Sequence, residues 1–163
     1  MRGFLCLGSN LGDRQNSIME ALKRLKERGI RVLRTSSIYE TVPVGVDECQ
    51  DNYYNLVAAI DSELTPQGLL KACAEVEESM GRLRPYRNAS RTIDIDILML
   101  EGVSIRSPEL EIPHPRMEER SFVVYPLWEI EPDIVMPSGR YIIEVKNALP
   151  DDEIVRMWTP SDG

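Results

Sequence analysis

The chain has 163 residues and a mass of 18.6 kDa, which suffices for one domain with its own hydrophobic core and is too short for two ordinary domains. Its 42% hydrophobic and 28% charged residues are typical of a soluble globular protein and exclude a fibrous or disordered chain. The net charge of −8 argues against nonspecific binding to nucleic acid or to an anionic membrane. We therefore predict a single domain over residues 1–163, of which about 159–163 form a loose tail.

The cysteine count and the N-terminal sequence indicate the compartment. Three cysteines, an odd number, do not make a disulfide framework. The first apolar run, residues 4–7, is far shorter than the core of a signal peptide, and no run is long enough to span a membrane. We expect a reduced chain in the cytoplasm.

The first elements along the chain are a strand and a helix. Residues 2–8 are mostly apolar and predict a short buried strand. Asp13 is suited to be the N-cap of a helix over about 14–28, because its carboxylate can accept a free N–H of the first turn. Gly29 is expected to end that helix, since glycine readily adopts the left-handed conformation that follows many helices.

Two further extended segments and a second helix follow. Residues 30–40 look extended, a loop covers about 41–52, and residues 55–60 form the next strand. Thr65 is expected to cap a second helix, which Gly81 ends.

The second half of the chain mixes strands with turns. Residues 92–100 form the clearest strand, and Glu101-Gly102 predicts a turn that leads the chain back into a strand at 103–105. A short apolar stretch at about 122–128 and a last helix near 140–148 complete the chain. Because hairpins interrupt the alternation of strands and helices, we predict an α+β sandwich with a mostly antiparallel sheet.

The strand at 92–100 carries the most informative acids. Side chains alternate along a strand, so Asp94 and Asp96 share one face while the isoleucines between them face the core. The two carboxylates, about 7 Å apart at their Cα atoms, can share a cation, and Mg²⁺ is the natural one because it binds carboxylates together with water and phosphate oxygens. The alternatives are a solvated edge of the sheet and ion pairs with nearby arginines.

Arginines cluster directly before this strand. Residues 82–91 contain four arginines and no acid, although the whole chain is acidic. Guanidinium groups match phosphate oxygens, so this cluster predicts a bound polyphosphate. The alternative for Arg82 and Arg84 is pairing with glutamates of the preceding helix. Acids that bind a metal beside arginines that bind phosphate are the parts needed for phosphoryl transfer.

Four further positions have both a structural and a functional interpretation. His114, the only histidine, lies between two prolines and is either a structural turn residue or a hydrogen-bond donor to phosphate. By themselves, Tyr53, Asn55 and Phe122 are ordinary core or rim residues, but together they could clamp a flat heterocycle by stacking and hydrogen bonding.

Taken together, these motifs closely resemble the hydroxymethyl-dihydropterin pyrophosphokinases of folate biosynthesis. The resemblance runs in order from residue 3 to about 158. The motifs that carry it are Gly8-Ser9-Asn10-Leu11-Gly12, Tyr53-Tyr54-Asn55, Glu77 with Gly81-Arg82-Leu83-Arg84, Arg91-Thr92-Ile93-Asp94-Ile95-Asp96-Ile97-Leu98, and Pro113-His114-Pro115-Arg116-Met117 with Arg120 and Phe122.

The resemblance implies a ferredoxin-like α/β/α fold and transfer of pyrophosphate from ATP to the hydroxymethyl group of a dihydropterin, with release of AMP. It implies two Mg²⁺ ions held by Asp94 and Asp96, small-molecule substrates, no nucleic-acid or membrane partner, and association with other folate-pathway enzymes. The chain departs from many members at 88–90, where it has Asn-Ala-Ser in place of Trp-Gly-Pro.

The resemblance also implies a role for each matched residue. The catalytic and metal-binding set is Arg82, Arg91, Asp94 and Asp96, with the two aspartates as the metal ligands. The ATP-binding set is Glu77, Arg84, Arg87, Arg91, Ile97, His114 and Arg120. The pterin-binding set is Thr41, Pro43, Val44, Tyr53, Asn55, Asp94 and Phe122.

Two other functions remain open from the residues alone. A small binding or regulatory module on a ferredoxin-like sandwich would bind a nucleotide at the arginines without chemistry. A glycosyl transferase with an Asp-x-Asp motif would need a nucleotide-sugar domain that 163 residues scarcely accommodate.

Overall fold

The computed structural model describes residues 1–42, 51–81 and 92–158. Its strands are β1 (Arg2–Ser9), β2 (Ile30–Thr35), β3 (Ile38–Thr41), β4 (Tyr53–Ser62), β5 (Asp94–Leu100), β6 (Ile105–Arg106), β7 (Glu111–Ile112) and β8 (Ile154–Trp158). Its helices are α1 (Arg14–Glu27), α2 (Pro66–Ser79), α3 (Ser121–Ile130) and α4 (Ile142–Ala148). Within these ranges, none of the helices is both long and apolar enough to span a membrane.

Six strands form one sheet in the order β5-β1-β4-β3-β8, and β2 pairs with β4 beside β3. Every pairing between the described strands is antiparallel, and β6 and β7 form a separate small ribbon. Helices cover both faces of the sheet, which confirms the predicted α/β/α sandwich with a mostly antiparallel sheet.

Helices α1 and α2 cover one face because each has an apolar stripe and well-defined ends. The Asp13 carboxylate accepts the Asn16 N–H at 3.1 Å, and Thr65 Oγ1 accepts the Gly68 N–H at 3.0 Å. Gly29 and Gly81 follow the helices with φ of +83° and +80°. These four residues have the roles predicted from the sequence. The apolar stripes pack on β1 and β4 around Ile18, Leu22, Leu25, Leu69, Cys73 and Val76.

Helices α3 and α4 cover the other face. Helix α3 is tied to β3 through Glu129, whose carboxylate accepts the Ser37 N–H and hydroxyl at 2.8 and 3.0 Å and the Tyr39 hydroxyl at 2.7 Å. Burial together with the Glu129 hydrogen bond raises the pKa of Tyr39. The second apolar cluster lies beneath these helices and includes Cys6, Val57, Leu98, Val123, Leu127 and Val145.

Strand β5 alternates between the two faces as predicted. Ile95 and Ile97 belong to the core beneath α1 and α2, so Asp94 and Asp96 face the α3 side. The register with β1 shifts where Phe4 and Leu5 face Met99 and Ile97, which makes a bulge at Leu98. The bulge lies beyond the two aspartates, so their alternation is undisturbed.

Several predicted elements differ in the structure. The turn at Glu101-Gly102 is present, but the returning strand β6 pairs with β7 rather than with β5, so the predicted hairpin is wrong. The open edge of β5 near this turn is taken instead by the His114 N–H, which donates to the Leu98 carbonyl at 2.8 Å. The extended segment 30–40 is divided into β2 and β3, and β4 runs beyond 55–60 at both ends.

Helix α3 and the strands β7 and β8 were not predicted. Helix α3 contains Pro126, which cannot donate a helical hydrogen bond and so hides the helix in the sequence. Strand β8 is short and pairs with β3, more than a hundred residues away in sequence. Cys6 and Cys73 are both buried and free.

Candidate active site

The candidate site lies on the α3 face, at the end of the sheet where β1 ends and β4 and β5 begin. Gly8 of β1 pairs with Asp94 of β5 on one side and with Asn55 of β4 on the other. Two residues earlier, Cys6 pairs with Asp96 and belongs to the apolar cluster beneath α3. Since directly paired residues point to the same face of a sheet, these rows place Asp94, Asp96 and Asn55 side by side.

The carboxamide of Asn55 is held in one orientation. This side chain is 3% exposed, and its Nδ2 donates to Thr41 Oγ1 at 2.7 Å. Its Oδ1 lies 2.8 Å from the position that a Cβ atom on Gly8 would take, and the Tyr53 ring lies 3.5 Å from the same position. Because Gly8 has no side chain, β1 places none between Asn55 and Asp94 in this row, and the Asn55 amide and the Tyr53 ring lean over Gly8 instead. We call this place in the row the Gly8 gap.

Arg120 and Phe122 approach the carboxylates from the start of α3. Arg120 Nη1 lies 4.0 Å from Asp96 Oδ2, and its guanidinium lies 5.6 Å from the centre of the Phe122 ring. The ion pair is partly exposed, so the pair itself contributes little to stability. Asp96 thus has the contact with an arginine that the sequence offers as an alternative to metal binding. This arginine, Arg120, is itself one of the predicted ATP-binding residues.

Cys6 lies beneath the two carboxylates. Burial raises the pKa of its thiol well above the ordinary value, and the negative charges of Asp96 and Asp94 raise it further. The thiol is therefore protonated and neutral at physiological pH. The sequence alone gives Cys6 no role and marks Gly8 only as part of the Gly8–Gly12 motif, because nothing in the order of residues shows which strands are neighbours.

His114 lies beside this group with a defined ring orientation. Its Nδ1 accepts the Arg116 N–H at 3.2 Å, so the neutral ring carries its proton on Nε2. Burial lowers the pKa of His114, and Arg120 lowers it further, while Glu111 and Asp94 act in the opposite direction. His114 is thus a neutral hydrogen-bond donor near neutral pH.

We expect the single histidine signal in a proton NMR titration to give a pKa below the ordinary 6.5 of a histidine. Between the folded-state pKa and 6.5 the unfolded chain then binds more protons than the folded one, so the free energy of unfolding falls as the pH falls from 6.5 to the folded-state pKa. Added ATP should raise this pKa, because nearby phosphate charge favours the imidazolium. A folded-state pKa at or above 6.5 without ATP would contradict the described environment.

Glu77 reaches the site from the other layer of the sandwich. It is buried near the end of α2, and its Oε2 accepts the Ile95 N–H at 3.3 Å. Among the described strands, β5 is an edge of the sheet, so this N–H has no strand partner there and the carboxylate satisfies it. Glu77 therefore has a structural role here, and its predicted contact with ATP stays a prediction.

Ile97 does not join the other predicted residues through its side chain, which is buried in the core beneath α1 and α2. Backbone groups of alternate strand residues face the same side, so the Ile97 N–H and C=O face the same open edge as those of Ile95. Any contact from Ile97 to a ligand would therefore be made by its backbone. The other predicted site residues, Pro43, Val44, Arg82, Arg84, Arg87 and Arg91, lie outside the described residues.

The chemistry of Asp94 and Asp96 fits a magnesium ion that also binds phosphate. The two carboxylates share one face of an edge strand and are partly exposed. Across the described residues, no group of three or more histidine, cysteine or acidic side chains is arranged to hold a metal alone. Mg²⁺ needs only one or two carboxylates when water and substrate phosphates complete its shell. The donor set therefore fits an ion shared with a polyphosphate.

Known proteins share extensive sequence similarity with this chain. The family model described as 7,8-dihydro-6-hydroxymethylpterin-pyrophosphokinase (HPPK) matches residues 4–132. The chain belongs to this family. It is 45% identical over 157 residues to a 2-amino-4-hydroxy-6-hydroxymethyldihydropteridine pyrophosphokinase of Methylorubrum extorquens, with 96% of this chain and 98% of the relative covered. The Bacillus subtilis protein of the same name is 37% identical over 161 residues, which cover 98% and 92% of the two chains.

Membership in the HPPK family makes the chain an enzyme, a pyrophosphokinase and transferase of folate biosynthesis. Among solved structures it is similar to wild-type HPPK-DHPS of Plasmodium falciparum, with a TM-score of 0.68 at 17% identity. That alignment covers 90% of this chain and 40% of the longer Plasmodium chain. At this identity the similarity shows the fold, in agreement with the predicted sandwich.

Proposed function

We propose that residues 1–163 act as a single domain that transfers the pyrophosphoryl group of ATP to the hydroxymethyl group of 6-hydroxymethyl-7,8-dihydropterin. The observation that carries this proposal is the Gly8 gap. On one side of it stand two carboxylates suited to a cation with phosphate, and on the other an oriented amide suited to the edge of a heterocycle. A substrate whose ring lies against Asn55 at the Gly8 gap has its reactive group next to the phosphates of an ATP molecule bound at the two carboxylates.

The heterocycle side uses hydrogen bonding and stacking. Thr41 fixes the orientation of the Asn55 amide, so this amide is placed to form hydrogen bonds with donors and acceptors at the edge of a flat ring. Tyr53 and Phe122 supply aromatic surfaces, and both are partly exposed. Pro43 and Val44 are proposed to complete this side from the segment between β3 and β4.

The phosphate side uses positive charge and hydrogen-bond donors. Arg120 stands beside Asp96, and the neutral His114 has its Nε2–H available as a donor. Arg82, Arg84, Arg87 and Arg91 are proposed to bind the phosphate chain, because guanidinium forks match phosphate oxygens. Glu77 and the Ile97 backbone are proposed to contact the nucleotide from the open edge of β5.

The proposed reaction is a direct displacement. The hydroxymethyl oxygen forms a bond to the β-phosphorus of ATP, the bond between the β-phosphorus and the oxygen that bridges it to the α-phosphate breaks, and AMP leaves with that oxygen. The proton of the alcohol passes to water. Two Mg²⁺ ions held by Asp94 and Asp96 would supply charge neutralisation to the phosphates. Arg82 and Arg91 are proposed to neutralise further charge that develops on phosphate oxygens.

The decisive experiment measures the nucleotide product. Purified protein with ATP, Mg²⁺ and the hydroxymethyl-dihydropterin should release AMP in a one-to-one ratio with the pterin diphosphate, and no ADP, as measured by chromatography. The control omits the pterin and should show no AMP. ATP binding by calorimetry without AMP release over hours would favour the binding module instead.

We expect Gly8→Ala to raise the KM for the pterin about tenfold, because the new methyl group would lie 2.8 Å from Asn55 Oδ1 and force the amide to move. The KM for ATP should change by less than a factor of three. Steady-state kinetics with each substrate varied in turn make the comparison. An unchanged KM for the pterin would show that the gap does not hold the heterocycle.

Two further expectations concern the cell. The longer Plasmodium relative carries HPPK and DHPS in one chain, so we propose that this chain associates with other folate-pathway enzymes. Co-purification with tagged folate enzymes of its host tests that association. A location in the cytoplasm stays a prediction of the sequence.

A further inference from the structure

Arg14, the first residue of α1, binds the strand that carries the proposed pterin-binding residues. Its Nη1 donates to the Asn52 carbonyl oxygen at 2.7 Å. Its Nη2 donates to the Tyr54 hydroxyl at 3.4 Å, and the guanidinium lies over the Tyr54 ring at 4.0 Å from the ring centre. The Arg14 side chain thus makes one contact with Asn52, which precedes β4, and two contacts with Tyr54 of β4.

The stability of α1 does not explain an arginine at this position. A positive charge in the first turn lies at the positive end of the helix dipole, where it is unfavourable by a small amount. The contacts instead use what distinguishes arginine from lysine: a planar group that can stack on a ring and donate two hydrogen bonds at once. The Arg14 side chain is therefore better suited to its contacts with strand β4 than to stabilising helix α1, to which it belongs.

The contacts of Arg14 lie directly behind the site. Side chains alternate along β4, so Tyr54 points to the α1 side while Tyr53 and Asn55 point to the opposite face. Tyr54 is also packed edge-on against Trp158 of β8, with ring centres 4.7 Å apart. Arg14 therefore fixes the backbone from which Tyr53 and Asn55 project, without touching the face that would bind substrate.

Neighbouring contacts hold the same strand end. Asn10 Nδ2 lies 3.4 Å from the Asp51 carbonyl oxygen, and Asn52 Nδ2 donates to Glu40 Oε2 at 3.1 Å. Trp158 Nε1 donates to Gln15 Oε1 at 3.2 Å, so the residue after Arg14 holds β8. The start of α1 is thus the point where β4 and β8 are both attached to the helix layer.

We propose that Arg14 is a positioning residue for the pterin side of the site. It acts through Asn52 and Tyr54 to set the place of Tyr53 and Asn55 relative to the Gly8 gap. This inference rests on the proposed function, and it predicts a selective effect: loss of Arg14 weakens the affinity for the pterin and leaves ATP binding and kcat nearly unchanged.

The test compares Arg14→Met and Arg14→Lys with the wild type. Arg14→Met keeps much of the aliphatic length and loses both donors, and we expect the KM and the Kd for the pterin to rise about tenfold. The kcat and the KM for ATP should stay within a factor of three. Arg14→Lys keeps the charge and one donor but loses the planar group, so the KM for the pterin should lie between those of the wild type and Arg14→Met.

The matched control is Arg31→Met. Arg31 is 72% exposed and pairs with Asp61 at 2.7 Å, at the opposite end of the sheet. This variant makes the same chemical change and should leave both KM values unchanged. Thermal unfolding of each variant measures any general loss of stability.

Two results would overturn the positioning role. One is an unchanged Kd for the pterin in Arg14→Met by calorimetry, and the other is an equal rise of both KM values. If Arg14→Met does not fold, the kinetics of Arg14→Lys decide between the same outcomes. Failure of the proposed function is distinguishable, because then the wild type itself releases no AMP with the pterin. In that case pterin binding by the wild type and Arg14→Lys still tests the role of Arg14.

Discussion

Asp96→Asn is expected to lower kcat by about 10² or more, the typical cost of removing one preorganised group that stabilises charge in a transition state. Asparagine has the shape of aspartate but lacks the charge that a magnesium ion requires. The fold should persist, because Asp96 is partly exposed and its neighbour Asp94 repels it on the same face. Asp94→Asn should behave in the same way. Initial rates at saturating ATP and pterin, with circular dichroism for the fold, measure the effect.

The control for this prediction is Asp133→Asn, an exposed aspartate in the turn after α3. It removes the same charge far from the Gly8 gap and should leave kcat unchanged. Raising the Mg²⁺ concentration should only partly restore the Asp96→Asn variant. A variant with normal turnover would exclude Asp96 as a metal ligand. Its contact with Arg120 would then remain as a described charge interaction of this side chain.

Asn55→Ala is expected to lower kcat/KM for the pterin by about 10², chiefly by raising KM. The reason is that the variant loses the hydrogen bonds of the amide and leaves the polar groups of the substrate without a partner. Thr41→Val keeps the volume at Thr41 but removes the oxygen that accepts from Asn55 Nδ2, so it should cost about tenfold. Kinetics with the pterin varied at fixed ATP measure both effects.

Thr41→Ser serves as the control for the second prediction, because it keeps the acceptor oxygen and should remain close to the wild type. The double variant Asn55→Ala with Thr41→Val should cost less than the product of the two single effects, since both act through one amide. Additive effects, or a larger rise in the KM for ATP than for the pterin, would contradict a shared role at the heterocycle. Thermal unfolding separates lost stability from lost binding.

The sequence predicts local features of this molecule well. Asp13 and Thr65 cap helices, and Gly29 and Gly81 end them, because each of these roles depends on a few neighbouring residues. The alternation of aspartates and isoleucines in β5 is equally local, since strand geometry alone fixes which side chains share a face.

Features that depend on distant parts of the chain could not be predicted. The Gly8 gap arises because β1 lies between β4 and β5, and nothing around Gly8 identifies those neighbours. The turn at Gly102 predicts a hairpin in which the return strand pairs with β5, whereas β6 pairs with β7. Helix α3 is stabilised by packing and by the contacts of Glu129, which outweigh the local effect of Pro126.

The position of β1 has a consequence for how the enzyme can adapt. Six residues of β1, from Gly3 to Gly8 with a shift of register at the bulge, have a neighbouring strand on either side. These residues form the floor beneath the Gly8 gap. Their amide protons should therefore exchange with solvent only when the whole domain unfolds. Differences in turnover between relatives that live at different temperatures should accordingly arise in the segments around this floor, while the floor itself stays rigid.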